Sequence, residues 1–288
     1  MRNLNYDLKK LGDRDRDGSY ATRCNRARML SLMANQLYEL GYRKLRVADL
    51  KGRHISALLE RWRREEIAPG TIKNRMAALR WWADKIGKRG MMAKDNTAYG
   101  IPDRRYVSDR SKAKELDQSR LERIKDPYVR MSLELQRAFG LRREEAIKFS
   151  PTYADKGDHL RLKSSWTKGG KERLIPIRTE SQRAVLNRAH QLAGRGALIP
   201  SDRNYIQHVK VYERHCAAVG LSKMHGLRHA YAQERYQELT GLQAPAAGGP
   251  SSRSLSPEQK TIDQEARLII SRELGHNREA ITSVYLGR

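Results

Sequence analysis

Cysteine is scarce in this chain. Its two cysteines, Cys24 and Cys216, fall in opposite halves of the 288 residues, which excludes a Cys-x-x-Cys metal or redox site and leaves both as packing residues. Long apolar runs are missing too, and the mean hydropathy is −0.80, so no segment reads as a membrane span. The opening Met-Arg-Asn-Leu-Asn-Tyr-Asp lacks the apolar core of a signal peptide, which makes the cytoplasm the expected compartment and a disulfide out of place there. No basic amphipathic helix sets Trp or Phe opposite its charges, so a membrane-surface role is not expected either. No grouping of His, Asp or Glu has metal-ligand spacing, so no metal or other cofactor is expected. No internal repeat is visible.

Acidic residues are also few. Against 33 Asp and Glu stand 58 Lys and Arg, a formal net charge of +25, which is more than solubility requires and implies a polyanionic partner, nucleic acid first. Residues 1–110 carry 26 basic and 13 acidic side chains, leaving 32 and 20 for the rest, so both halves are expected to touch that partner.

The spacing of apolar residues predicts a helix over Ser19–Leu40, with Ala21, Cys24, Ala27, Leu30, Met33 and Leu37 on its core stripe. A second fits Ile55–Glu66. A third runs from Thr71 through Ala77, Leu79, Trp81 and Trp82 to Ile86. These make a helical bundle over residues 1–105, in which Arg23, Arg26 and Arg28, with Lys73 and Arg75, are candidate phosphate contacts. Gly100–Lys114, with Pro102 and little apolar content, reads as a basic linker into a second domain, 106–288. There Leu116–Lys125 and Val129–Phe139 read as helices broken by Asp126-Pro127. Asp158–Trp166 and Glu172–Ile177 form a β-hairpin around Thr-Lys168-Gly-Gly-Lys171. Ser181–Leu192, Tyr205–Val219 and a stretch from His225 to Leu239 are helical. Of the 17 residues Gly241–Pro257, 13 are Ala, Gly, Pro or Ser, so that segment reads as a flexible surface loop. Ser256-Pro-Glu-Gln259 then forms a capping box that opens a helix ending at Leu274. The expected fold is mainly α with a small antiparallel β-sheet.

Candidate chemistry collects near the end. Arg272-Glu-Leu-Gly-His276 is followed by Tyr285 nine residues after the histidine, with Gly275 as a helix stop and Asn277 as the N-cap of the next helix. A tyrosine in that place can be a nucleophile; alone, it reads more readily as a core or docking residue of a terminal helix. Upstream, His225-Gly-Leu-Arg228-His229 sets a histidine and an arginine three apart on one helix face, offering donors to a phosphate. Gly140-Leu-Arg142-Arg-Glu-Glu145 adds an arginine with a carboxylate three residues on. Arg143 would point elsewhere, and His229 reads as structural.

The ordered set Arg142, Lys168, His225, Arg228, His276, Tyr285 resembles the motifs of the tyrosine recombinase family, the phage-integrase type. The resemblance covers nearly the whole chain: a helical core-binding domain, then the catalytic domain. It implies a site-specific recombinase that cuts DNA without metal through a 3′-phosphotyrosyl intermediate. Tyr285 would be the nucleophile, and Arg142 and Arg228 would bind the non-bridging oxygens, a task suited to the guanidinium fork. Lys168 resembles the hairpin lysine that protonates the leaving 5′ oxygen, with Lys171 as its rival. His225 and His276 would bond the phosphate or take the tyrosine's proton, and Glu145 would orient Arg142. A topoisomerase-like nicking and resealing enzyme, or a DNA-binding protein of the same fold without turnover, are the alternatives. The family implies duplex DNA with specific recombination sites clamped between the two domains and four protomers on two such sites. The sequence stops three residues after Tyr285, where the family continues with a segment that docks on a neighbour. The free protein is therefore expected to be a monomer, with the Gly241–Pro257 loop as a substitute contact on DNA.

Overall fold

The computed structural model describes residues 2–103, 106–107, 110–276 and 278–288, and the chain divides into two compact units, residues 1–105 and 106–288. The first holds α1 (Asn3–Arg14), α2 (Tyr20–Glu39), α3 (Gly52–Arg64) and α4 (Pro69–Lys85). Ser19 starts α2 by accepting the Thr22 N–H at 3.2 Å, and Pro69 opens α4, where a missing N–H costs nothing. The core gathers Leu4 and Leu8 of α1, Met33 and Leu37 of α2, Trp62 of α3, and Trp82 of α4. Each buried indole keeps a partner: Trp62 donates to Gln36 Oε1 and Trp82 to the Val47 carbonyl, both at 2.9 Å.

Three expectations for this unit need correcting. Helix α1 was not anticipated, because its Leu4, Leu8 and Leu11 stripe is interleaved with charges. On α2, Ala21 and Ala27 are exposed and Cys24 is only half-buried. The first half of that helix runs past the core and lines a groove of about 760 Å³ with α1 and Trp81. On α4 the buried stripe is Ile72, Met76, Leu79 and Trp82, which leaves Ala77 exposed and Trp81 half-buried.

The second unit is a set of helices packed on one another, with one two-stranded antiparallel sheet among the described residues. Its elements are α5 (Gln118–Glu122), α6 (Pro127–Phe139), α7 (Arg143–Ile147), α8 (Pro151–Ala154), β1 (His159–Leu162), β2 (Arg173–Pro176), α9 (Glu180–Ala193), α10 (Tyr205–Ala218), α11 (Gly226–Thr240), α12 (Pro257–Glu273) and α13 (Glu279–Leu286). The strands pair from His159 opposite Pro176 to Leu162 opposite Arg173. Asp126 does more than break a helix: its carboxylate accepts from the N–H groups of Tyr128 and Val129 at 3.0 and 3.1 Å and so begins α6. Gly140 ends α6 at φ +59°, where a Cβ would lie 2.6 Å from the Tyr231 ring, so only glycine lets α6 close on α11.

The second half of the expected linker is docked rather than free. Lys114 donates its N–H to Gly226 O at 3.1 Å and its ammonium to Ser222 O at 2.7 Å. The Gly241–Pro257 segment is likewise seated, with Ala244, Ala246 and Leu255 buried and a 3-10 turn over Pro245–Ala247. Its small side chains let backbone meet backbone, an economy that a count of apolar surface does not register. The capping box at Ser256 and Gln259 is formed, and the helix it opens ends as expected near Leu274. Asn277, read as the last N-cap, lies outside the described residues.

Candidate active site

Four elements converge on one point. Arg142 precedes α7, Arg173 lies on β2, Arg228 sits in the first turn of α11, and Leu274 closes α12. The Leu274 carbonyl accepts from all three guanidinium groups: from Arg142 at 3.3 Å, from Arg173 at 3.0 Å, and from Arg228 in a shorter bond. Gly275 makes this possible by turning at φ +68°, where a Cβ would lie 2.9 Å from Arg173 Cδ.

Glu145 is the shared counter-ion. Wholly buried, it bonds Arg142 and Arg173 at 2.7 Å each and stands 4.0 Å from Arg228. Burial alone would raise its pKa, but Arg173, Arg228 and Arg142 outweigh that and hold it below the ordinary carboxylate value. Three arginines around one glutamate leave two positive charges uncompensated, the condition of a site that awaits an anion. Of the three, Arg142 retains access, with 19% of its side chain exposed.

Tyr285, on α13, points into this cluster. Its hydroxyl accepts from Arg228 Nε at 3.2 Å and lies 3.5 Å from His276 Nε2. Its ring is 5.9 Å from those of His225 and His276 and 4.7 Å from that of His229, centroid to centroid. Desolvation, then Arg228, Arg142 and Arg173, push His276 down to about 4, so it is neutral at pH 7 and its Nε2 can face the tyrosine hydroxyl as a hydrogen-bond acceptor. His225 is lowered by desolvation and then by Arg228 and Arg142. Tyr231 and Tyr236 are engaged elsewhere: each donates its hydroxyl to a carboxylate, Glu273 at 2.7 Å and Asp263 at 2.5 Å.

The structure therefore brings Arg142, Glu145, His225, Arg228, His276 and Tyr285 together. His229 walls the site against Tyr285, and Arg143 leaves it to pair with Glu213 at 2.7 Å. Lys168 and Lys171 are exposed on the turn between β1 and β2 and do not join the buried network. Of the five candidate DNA contacts in the first unit, Arg28 is exposed; Arg26 is tied to Asp17 at 3.1 Å and Lys73 to Asp103 at 2.6 Å. Arg23 and Arg75 are half-buried, 5.9 and 5.1 Å from the centroids of Tyr20 and Trp62. Arg173 was not foreseen. Its signal was an arginine sharing inward strand parity with Ile175, while Leu174 between them faces out. Among the described residues no three His, Cys, Asp or Glu side chains converge as metal ligands, and no helix is long and apolar enough to cross a membrane.

Comparison with known proteins gives the family of this fold. Residues 1–92 match the family described as phage integrase, N-terminal, and residues 101–234 match the integrase family. A lambda integrase dimer bound to a COC′ core site superposes with a TM-score of 0.64 at 17% identity, covering 99% of this chain and 78% of that one. XerH recombinase in a post-cleavage complex with palindromic difH gives 0.60 at 16%, covering 99% and 81%. The Tn1549 transposon integrase with circular intermediate DNA gives 0.59 at 13%, covering 100% and 96%. No curated protein matches the chain by sequence. The chain belongs to the tyrosine recombinase family. Since the sequence match ends at residue 234, the placement of His276 and Tyr285 rests on the geometry above.

Proposed function

We propose that this chain is a site-specific DNA recombinase that breaks and rejoins strands through Tyr285. The observation that carries this reading is the convergence of a tyrosine hydroxyl, a neutral histidine and two uncompensated positive charges at one point. Tyr285 Oη attacks the scissile phosphorus while His276 takes its proton. Arg142 and Arg228 bind the non-bridging oxygens and stabilise the charge of the five-coordinate transition state. The bond to the 5′ oxygen breaks, that oxygen takes a proton from Lys168, and the phosphate remains on Tyr285 as a 3′-phosphotyrosine that stores the bond energy. Attack by a 5′ hydroxyl of a second strand reverses the steps and joins the ends. Lys168 stands at an exposed tip, so its part requires the β1–β2 turn to fold over bound DNA, and Lys171 on the same turn is the alternative donor. Glu145 holds Arg142 in place throughout.

The partner is duplex DNA bearing specific recombination sites. Lambda integrase is solved as a tetramer bound to a Holliday junction. For this chain we assign the same assembly, four protomers on two sites, and a monomer when free, because +25 charges repel like molecules until DNA neutralises them.

The test is Tyr285→Phe on a nicked duplex that carries one recognition arm. The variant is expected to bind DNA as the parent does and to form no covalent adduct, since phosphate contacts hold the DNA and only the hydroxyl attacks. Residual adduct would move the nucleophile elsewhere. Adduct without recombinant product from the parent would leave a nicking and resealing enzyme.

A further inference from the structure

The Gly241–Pro257 segment and the buried pair Asp263–Arg267 take no part in the chemistry above, yet they hold the helix that does. Arg267, 3% exposed, donates Nε to both Asp263 oxygens at 2.8 and 2.9 Å. Its Nη1 reaches the Gly287 carbonyl at 3.1 Å, just past α13, and its Nη2 reaches Ser252 Oγ in the loop at 3.3 Å. The Arg267 carbonyl accepts from Thr282 of α13 at 3.2 Å. Tyr236 of α11 completes the group by donating to Asp263 at 2.5 Å. Around it, backbone packs on backbone: a Cβ on Gly287 would lie 2.7 Å from Ala246 N.

We propose that Arg267, held by Ser252 of the loop and by Asp263, is a positioning residue for the nucleophile: it ties down the middle of α13 at Thr282 and its C-terminal end at Gly287, and thereby sets where Tyr285 stands over Arg228. The inference deepens the reading of Tyr285 as the nucleophile and rests on it. One guanidinium bonds its own helix, the loop and the residue that caps α13, so no sliding of α13 along its axis preserves all of these bonds. The loop is then an internal brace acting within one protomer, in place of the contact with a neighbour that its composition suggested.

Single-turnover cleavage of a duplex with one recognition arm separates the two roles, because no neighbouring protomer is present. Three changes are compared with the parent: Arg267→Met, Gly287→Ala, and a loop cut to a few glycines across 244–249. Each is expected to bind DNA within about twofold of the parent, because no residue changed lies in the phosphate cluster, and to slow adduct formation about 10- to 100-fold, since a displacement of about 1 Å costs on that order. Arg267→Lys, which keeps the charge but loses the fork, is expected to recover part of the rate. Gly287→Ala guards against simple unfolding: it changes one residue at the edge of the unit, and although strain at φ +79° is expected to lower its thermal transition by a few degrees, the variant stays folded at the assay temperature. Cleavage at the parent rate by Arg267→Met, or by both Gly287→Ala and the shortened loop, would overturn the proposal. Loss of recombination alone, with single-arm cleavage intact, would return the loop to a contact between protomers. Adduct formation by Tyr285→Phe would instead defeat the functional reading itself.

Discussion

In the N-terminal unit several arginines lie over aromatic rings, the exposed Arg2 among them. Arg2 over Tyr38 and Arg26 over Trp81 each stand 4.0 Å from the ring centroid. In the catalytic unit Arg173, Arg228 and Arg267 are buried to 4%, 1% and 3% exposure and bond carboxylates and backbone carbonyls. The residue type is the same and the physics differs. A stacked surface guanidinium keeps its hydration and acts at a distance, screened within roughly 8–10 Å by salt. A buried one loses several kcal/mol of hydration, which only preset partners offset. The first arrangement suits long-range attraction of a polyanion and tolerates displacement; the second fixes atoms and does not. Charge count alone, nearly equal in the two halves, does not separate them.

The comparison is broken most sharply at Arg228. Arg228→Ala is expected to lower the single-turnover cleavage rate by about 10³-fold or more while DNA affinity changes little, and Arg228→Lys should not recover it, because an ammonium lacks the fork. A rate within tenfold of the parent would remove Arg228 from the chemistry. An exposed residue given a chemical task is the next test. Lys168→Ala is expected to slow cleavage about 10²- to 10³-fold, and a substrate with bridging sulfur at the 5′ position, a leaving group that needs no proton, should restore the rate. If Lys171→Ala shows that pattern in its place, the general acid moves three residues along the turn.

Glu145→Gln sharpens the contrast through stability. It leaves three buried or half-buried guanidinium groups without their anion and is expected to cost about 3–5 kcal/mol in denaturant unfolding at pH 7. The acid behaviour separates the groups. Glu145 has a lowered folded pKa, so its contribution is present above about 4.5 and is lost as pH falls through the folded value; in the variant that limb disappears. His229 and His276, pushed down to about 4, act between their unfolded value near 6.5 and pH 4: the unfolded chain binds their protons first, so stability declines across that window in parent and variant alike. The smallest effect belongs to the surface. Arg28→Ala is expected to weaken DNA binding uniformly across sequences and to reduce the slope of log K against log salt by about one. An unchanged slope would place Arg28 off the DNA.

Most of the candidate cluster was legible because its residues sit in short motifs with fixed offsets: Arg142 with Glu145, His225 with Arg228, His276 with Tyr285. Helix ends were legible where a side chain caps them, as at Ser19 and Ser256. What escaped were positions where polarity and burial disagree. Arg173 takes an inward strand position next to an outward Leu174, and Asp263 with Arg267 occupies the buried stripe of α12 beside Ala266 and Ile270. A hydrophobicity pattern scores these as surface, since it has no means to register that each buried ion brings its own partner. The Gly241–Pro257 loop failed in the opposite sense. Its alanines are too small to signal burial, yet small size is what the approach to Gly287 requires.

The Leu274 carbonyl, gathering three guanidinium groups at the end of α12, has a thermodynamic meaning. A helix C-terminus carries a partial negative charge of about half an electron, so the last turn of α12 behaves as a surrogate anion built into the protein. The repulsion among three like charges is therefore met once, during folding, and the arginines hold their places before any phosphate arrives. Under the proposed function, DNA would enter a pocket whose dipoles are already aligned, and the reaction would use an ordering completed when the chain first folded.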